Sequence, residues 1–154
     1  MRIAPSVQTL CFIHEPPRLL LGRKKRGFGA GKWNGFGGKI KEGESVEDCA
    51  WREFLEEAGI EILGMEKAGV LAFEFEDGST PIEGHLFRVT GYRGEPRESE
   101  EMLPRWFATD ALPFGEMWPD DPYWMPLLLS RKRFEGRFLF GADGAIVSHD
   151  LRED

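Results

Sequence analysis

Between Gly22 and Gly38 the chain carries Gly22, Gly27, Gly29, Gly31, Gly35, Gly37 and Gly38, together with the cations Lys24, Lys25 and Arg26. Glycine at this density costs too much backbone entropy for regular structure to run throughout, so any fold must set most of this stretch aside as a loop. A helix with both ends marked follows almost at once. Ser45 is an N-cap residue with Asp48 three positions on, acids occupy the first turn where the helix dipole favours them, and Gly59 supplies a stop. A helix over Val46 to Ala58 is predicted, with Val46, Ala50 and Phe54 facing inward.

Around this unit the period-2 apolar runs read as strands: Ser6 to His14, Arg18 to Leu21 after Pro16-Pro17, and a hairpin of Lys67 to Glu76 with Ile82 to Tyr92 turning through Asp77 to Thr80. Trp106-Phe107 begins a further short element. Tyr123 to Phe134 reads as a second helix, apolar first and basic at its end, and Arg137 to Phe140 with Ala145 to Leu151 forms a closing hairpin. A length of 154 residues, 41% of them hydrophobic, is enough for one domain, 1–154, with a core that needs no cross-links. Cys11 and Cys49 lie in no metal-like spacing and read as small buried thiols. The net charge of -7 argues against a nucleic-acid polymer as partner, whose phosphates need a basic footprint. No leader is read in Met1 to Pro5 and no run is long enough to cross a bilayer, so a cytoplasmic protein without membrane attachment, acting as a monomer, is expected.

Within the first helix Glu53, Glu56 and Glu57 stand at i, i+3 and i+4 with Arg52 beside them, so three carboxylates share one face at the end where the dipole disfavours anions. A solvated acidic face is the ordinary reading of such a cluster. The spacing argues otherwise. Gly38 is followed after five residues by Glu44, after seven more by Arg52-Glu53-Phe54, then by Glu56-Glu57, Gly59 and Ile60. This pattern resembles the Nudix box, G-x5-E-x7-R-E-U-x-E-E-x-G-U, at every fixed position. Phe54 is larger than the aliphatic residue usual there, which bears on packing. Carboxylates on a rigid helix are hard oxygen ligands for Mg²⁺, which commonly bridges substrate phosphates, and a glycine loop lets backbone approach a polyphosphate. A Walker-type loop is the rival for the glycines, but Trp33 follows Gly31-Lys32 and Arg26 stands where the earlier glycine belongs.

The resemblance extends from Thr9 to Leu151, through KKRGFGAGKWNGFGG (Lys24 to Gly38), Phe73-Glu74-Phe75, ESEEM (Glu98 to Met102) and MWPDDPYW within Pro113 to Leu129, to the animal MutT-type 8-oxo-dGTPases of that family. It implies an α/β/α sandwich with a mixed sheet. It implies Mg²⁺, with Mn²⁺ as a substitute, held by Glu53, Glu56, Glu57, Glu101 and the Gly37 carbonyl, with Glu56 or Glu57 assisting deprotonation of water and Arg52 in the catalytic set. It implies a nucleotide held by Thr9, Lys24, Phe28, Asn34, Phe36, Gly37, Gly38, Lys39, Phe73, Met102, Trp118, Asp120, Asp121 and Trp124.

Independently, Trp118, Asp120, Asp121 and Trp124 form an aromatic and acidic group suited to stacking a base and reading its edge. Two adjacent carboxyls in such a pocket cannot both ionise cheaply, so one is expected to keep its proton. The bland alternatives are core aromatics, a helix cap at Asp120 or Asp121, a turn at Asn34, and solubility alone for Lys25 and Arg26. His14, His85 and His149 have no evident partners. Other Nudix substrates, including methylated purine triphosphates, and a non-catalytic nucleotide-sensing module are the rival functions; the intact set of box glutamates favours an enzyme.

Overall fold

The computed structural model describes residues 3–154; Met1 and Arg2, part of the segment read for a leader, lie outside the described residues. The helix α1 spans Val46–Ala58 as predicted, for the predicted reasons. Ser45 Oγ accepts the Asp48 amide at 3.1 Å, and Gly59, at φ 69°, closes the helix by donating to the Leu55 carbonyl at 3.0 Å.

The strands are β1 (Ser6–Glu15), β2 (Arg18–Lys24), β3 (Trp33–Asn34), β4 (Glu61–Phe75), β5 (Ile82–Arg93), β6 (Met102–Ala108), β7 (Phe134–Phe140) and β8 (Ile146–Glu153), with a second helix α2 (Asp121–Leu129) between β6 and β7. The main sheet runs β1-β5-β4-β7-β8 and is mixed: β1 is parallel to β5 and β4 to β7, while β5 with β4 and β7 with β8 are antiparallel. β2 extends the end of β1 and pairs antiparallel with β3 and β6.

Alternation along the strands sends side chains to two faces. Phe12, Leu71, Leu86 and Phe138 pack with Trp124, Met125 and Leu128 of α2. Cys11, Ile13, Phe87 and Val89 pack on the opposite face with Ala50, Phe54 and Ala58 of α1. Helices thus cover both faces, the expected α/β/α sandwich. The large Phe54 is accommodated by stacking on Phe36, ring centres 4.6 Å apart and planes at 15°. No helix is long and apolar enough to cross a membrane among the described residues.

The second helix is displaced from its predicted span. It begins at Asp121, with Pro122 in its first turn, and ends at Leu129 instead of Phe134. Arg131 takes a left-handed φ of 58°, and Phe134 enters β7 beside Gly69. Arg131, Lys132 and Arg133 therefore lie beyond the helix. Buried Arg88 of the sheet satisfies the helix end and the turn after it, donating to the Leu128 carbonyl at 3.3 Å and to the Lys132 carbonyl at 3.0 Å while pairing with Glu66. β4 starts six residues before the predicted Lys67, where register shifts around Gly64 break the alternation that would have revealed it. β2 and β6 are also longer than their apolar cores suggest, because they pair with each other from Arg18 opposite Ala108 to Lys24 opposite Met102.

Candidate active site

The end of the glycine loop lies against β1. The Cys11 amide donates to the Phe36 carbonyl at 2.6 Å, the Thr9 amide to the Gly38 carbonyl at 2.9 Å, and the Ile40 amide to the Val7 carbonyl at 3.0 Å. At Gly37 the approach is so close that a Cβ would stand 1.9 Å from the Thr9 carbonyl oxygen. The same loop meets the acidic face of α1. The Gly37 amide donates to Glu57 Oε1 at 2.9 Å, and the Glu53 carboxylate lies over Gly38, where a Cβ would come within 2.7 Å of its Cδ.

The glutamates are not equivalent. Burial, then the neighbouring Glu53 charge, pushes the Glu57 carboxyl up to about 8; Glu101 adds to this, and the Gly37 amide and Lys24 oppose it. Glu53 is held by Arg52 at 2.7 Å, Glu56 is more exposed with Arg52 at 3.5 Å, and Glu101 is paired with Arg26 at 2.6 Å. Arg52 itself does not line the cavity described below. Its fork grips both oxygens of Glu44 at 2.7 and 2.9 Å, which holds the Glu44 carboxyl down at about 2, and it donates to the Lys39 carbonyl at 3.3 Å. Arg52 thus braces the start of α1 and the glycine loop through a partner, Glu44, to which sequence reasoning gave no role. Among the described residues no three acidic, His or Cys side chains stand as a ready-made ligand cluster. The donor set nevertheless suits a hard divalent cation: it is all oxygen, and the buried Glu57 carboxyl stands beside the charge of Glu53.

Beside Glu57 opens a cavity of about 180 Å³. This is smaller than the ~300–1,000 Å³ of sites that enclose a whole drug-sized ligand, so the cavity takes only part of a ligand of that size. Of the residues proposed from the sequence, Thr9, Lys24, Phe28, Asn34, Gly37, Gly38, Phe73, Met102, Trp118, Asp120, Asp121 and Trp124 line it. Phe36 and Lys39 do not. Phe36 belongs to the core under α1, and Lys39 is engaged through its backbone, by Arg52 and opposite Gln8. Gln8, Lys32, Ile82, Leu86 and Phe140 also line the cavity and had no role assigned. Period-2 alternation from Phe73 reaches Phe75, another wall residue, but Phe140 joins it only through the parallel pairing of β4 and β7.

The carboxyl pair sits in the wall. Asp120 occupies the N-cap position of α2 but makes no side-chain cap bond; its Oδ2 instead accepts the Trp124 indole N–H at 2.7 Å. Asp121 is buried and its Oδ2 has no partner in the protein. Burial raises both carboxyls, and the Asp120 charge raises Asp121 further, well above its usual range. Trp124 serves both readings, being fully buried in the core and part of the wall. Trp118 packs against Phe28 at 5.0 Å with Lys32 5.2 Å over its ring. Asn34 lines the cavity while its Oδ1 accepts the Gly35 amide at 2.9 Å.

Outside the site, His85 does have a partner, Glu83 at 2.7 Å, and His149 stacks on Phe138 at 5.6 Å. Both thiols are buried and unpaired by a disulfide, as expected.

The family description NUDIX domain matches residues 5–128. The chain is 51% identical over 145 residues to the oxidized purine nucleoside triphosphate hydrolase of Mus musculus, covering 94% of this chain and 93% of that protein. Identity to the protein of the same description in Danio rerio is also 51%, with the same coverage. Among solved structures, a mutator MutT protein from Bacillus halodurans superposes with a TM-score of 0.83 at 27% identity, covering 95% of this chain and 97% of that one.

Proposed function

The chain belongs to the Nudix family of hydrolases, and from that premise we propose that it converts oxidised purine nucleoside triphosphates, such as 8-oxo-dGTP and 2-hydroxy-dATP, to monophosphate and pyrophosphate, sanitising the nucleotide pool. The observation that carries the reading is two buried carboxyls side by side in the lining of one small cavity, Asp120 accepting from the Trp124 indole and Asp121 with an unpartnered oxygen, with Glu57 in the same lining. On this reading Asp121 keeps a proton and Asp120 does not. A donor and an acceptor side by side can match a purine edge whose hydrogen-bond pattern oxidation has altered. Trp118 and Phe28 give the base an aromatic surface.

On this reading Glu53, Glu56, Glu57, Glu101 and the Gly37 carbonyl would hold Mg²⁺, with Mn²⁺ able to substitute; Glu53 and Glu101 are paired here with Arg52 and Arg26. The metal supplies charge neutralisation at the polyphosphate and a more acidic water. Lys24 and Lys32, both at the cavity, draw the phosphates toward the glutamates. Of the two acids that can take the proton of the attacking water, Glu57 is the better placed. Its Oε1 is held by the Gly37 amide, which leaves Oε2 for the reaction, whereas Glu56 is more exposed.

The test is the ratio of kcat/KM for 8-oxo-dGTP over dGTP in the wild type, Asp120→Asn and Asp121→Asn at several pH values. A misplaced donor in a buried site costs roughly 1.5–3 kcal/mol, so the ratio is expected to drop about ten- to a hundredfold in Asp120→Asn. Asp121→Asn keeps a donor and is expected to suffer less. Equal ratios in all three proteins at every pH would remove the base-reading role from the pair.

A further inference from the structure

The loop that carries Glu101 to the site is anchored by one hydroxyl. Ser99 Oγ donates to the Glu57 carbonyl at 2.8 Å and accepts the Glu101 amide at 3.3 Å and the Met102 amide at 3.1 Å. A serine hydroxyl has one proton and two lone pairs, and all three are used here. The Glu57 carbonyl lies in the last turn of α1, where carbonyls have no partner within the helix. Ser99 thus joins two backbones that are 42 positions apart in sequence from Glu57 to Ser99.

The other restraints on this segment differ in kind. Met102 is also placed by the β2–β6 ladder, opposite Lys24, and by its carbonyl, which accepts the Ser99 amide at 2.9 Å. Arg97 caps the Ala58 carbonyl through its own amide at 3.0 Å, independently of any side chain. Among the described residues, Glu101 is held by the Ser99 hydroxyl, the Lys25 amide on its carbonyl at 2.9 Å, and the Arg26 pair. The Arg26 pair is exposed and therefore weak.

We propose that Ser99 is a positioning residue for the metal site: its hydroxyl fixes the backbone of Glu101 against that of Glu57, so that the two carboxylates are presented together. This rests on the assignment of Glu57 and Glu101 as metal ligands. Removing the hydroxyl releases Glu101 while β6 still holds Met102 and the Arg97 amide still caps α1, so the loss falls on cation binding. A purely structural role would lower the unfolding midpoint without moving the cation affinity of the folded protein.

The experiment is a Mn²⁺ titration of the nucleotide-free protein, followed by the electron paramagnetic resonance of free Mn²⁺, with the Mg²⁺ dependence of turnover measured alongside. Changing the groups that orient metal ligands commonly costs ~10–100-fold in affinity, so Ser99→Ala is expected to weaken Mn²⁺ binding about tenfold or more. The Mg²⁺ concentration for half-maximal rate is expected to rise by a similar factor. Ser99→Thr, which keeps the hydroxyl, is expected to restore both. Should Ser99→Ala fail to fold, Ser99→Cys, with a longer and weaker donor, takes its place with the same expected loss. A folded variant lacking the hydroxyl that binds Mn²⁺ as wild type does, or a threonine variant as impaired as alanine, overturns the proposal. Failure of wild-type protein itself to bind Mn²⁺ would instead overturn the metal assignment beneath it.

Discussion

Glu57→Gln is expected to lower kcat/KM by several orders of magnitude while making the metal-free protein more stable at alkaline pH. The loss of activity follows from removing a charged oxygen that serves as both cation ligand and proton acceptor. The gain in stability follows from linkage. With a carboxyl at about 8 in the folded protein against 4.5 ordinarily, the folded state keeps a proton that the unfolded chain releases. Stability therefore falls as pH rises between those values, and the deficit is complete above the upper one. For a group this buried the deficit is on the order of a few kcal/mol. Glutamine has no proton to lose, and its amide oxygen can still accept the Gly37 amide. Melting curves in chelator across this pH range should fall for wild type and stay flatter for the variant, and Mg²⁺ should raise the wild-type midpoint most. Near-normal turnover of Glu57→Gln at saturating Mg²⁺, or parallel pH curves for the two proteins, would contradict this account of the site.

Gly37→Ala is expected to be nearly as damaging to activity and far worse for stability. Its Cβ would stand 1.9 Å from the Thr9 carbonyl oxygen, 2.5 Å from the carbonyl carbon and 3.0 Å from the Leu10 nitrogen, all backbone atoms of β1. No side chain can move aside, so the loop must part from the strand. That strains the bond from the Thr9 amide to the Gly38 carbonyl and the bond from the Gly37 amide to Glu57. Overpacking of this kind costs ~1–3 kcal/mol or more, and here the displacement also moves the reacting groups. Gly115→Ala is the control, since nothing lies within 4 Å of its Cβ position and its φ is unexceptional. Urea midpoints and kcat/KM for the pair should separate widely. Equal behaviour of the two variants would mean that the close approach at Gly37 is dispensable.

What could be read in the sequence was what local chemistry determines. The bounds of α1 follow from Ser45 and Gly59, and the spacing from Gly38 to Gly59 places the glutamates on one face without reference to any distant residue. Asp120 and Asp121 were legible as neighbours of Trp118 and Trp124, and the structure places all four in the cavity wall. The end of α2 was not legible, since Phe134 leaves the helical pattern only because β7 lies parallel beside Gly69, and because Arg88, from another strand, satisfies the helix end. The inward turn of Phe36 was hidden for the same reason: its place is decided by Phe54 across the core. Arg52 has the composition of a catalytic group and the geometry of a brace, and only the position of Glu44 reveals which. The Ser99 hydroxyl was likewise visible only as a letter in a motif until the strand and helix that it joins were in place.

The central claim is that one site combines diphosphate hydrolysis with selection of an oxidised base, and the measurement that tests it most directly is product analysis over a panel of triphosphates with Mg²⁺. The panel comprises 8-oxo-dGTP, 2-hydroxy-dATP, a methylated purine triphosphate, dGTP and dATP, each scored for monophosphate and pyrophosphate. Pyrophosphate release from the oxidised purines is expected at kcat/KM at least about tenfold above their normal counterparts, the equivalent of one well-formed buried hydrogen bond. Equal rates on normal and oxidised purines, or release of orthophosphate in place of pyrophosphate, would contradict it.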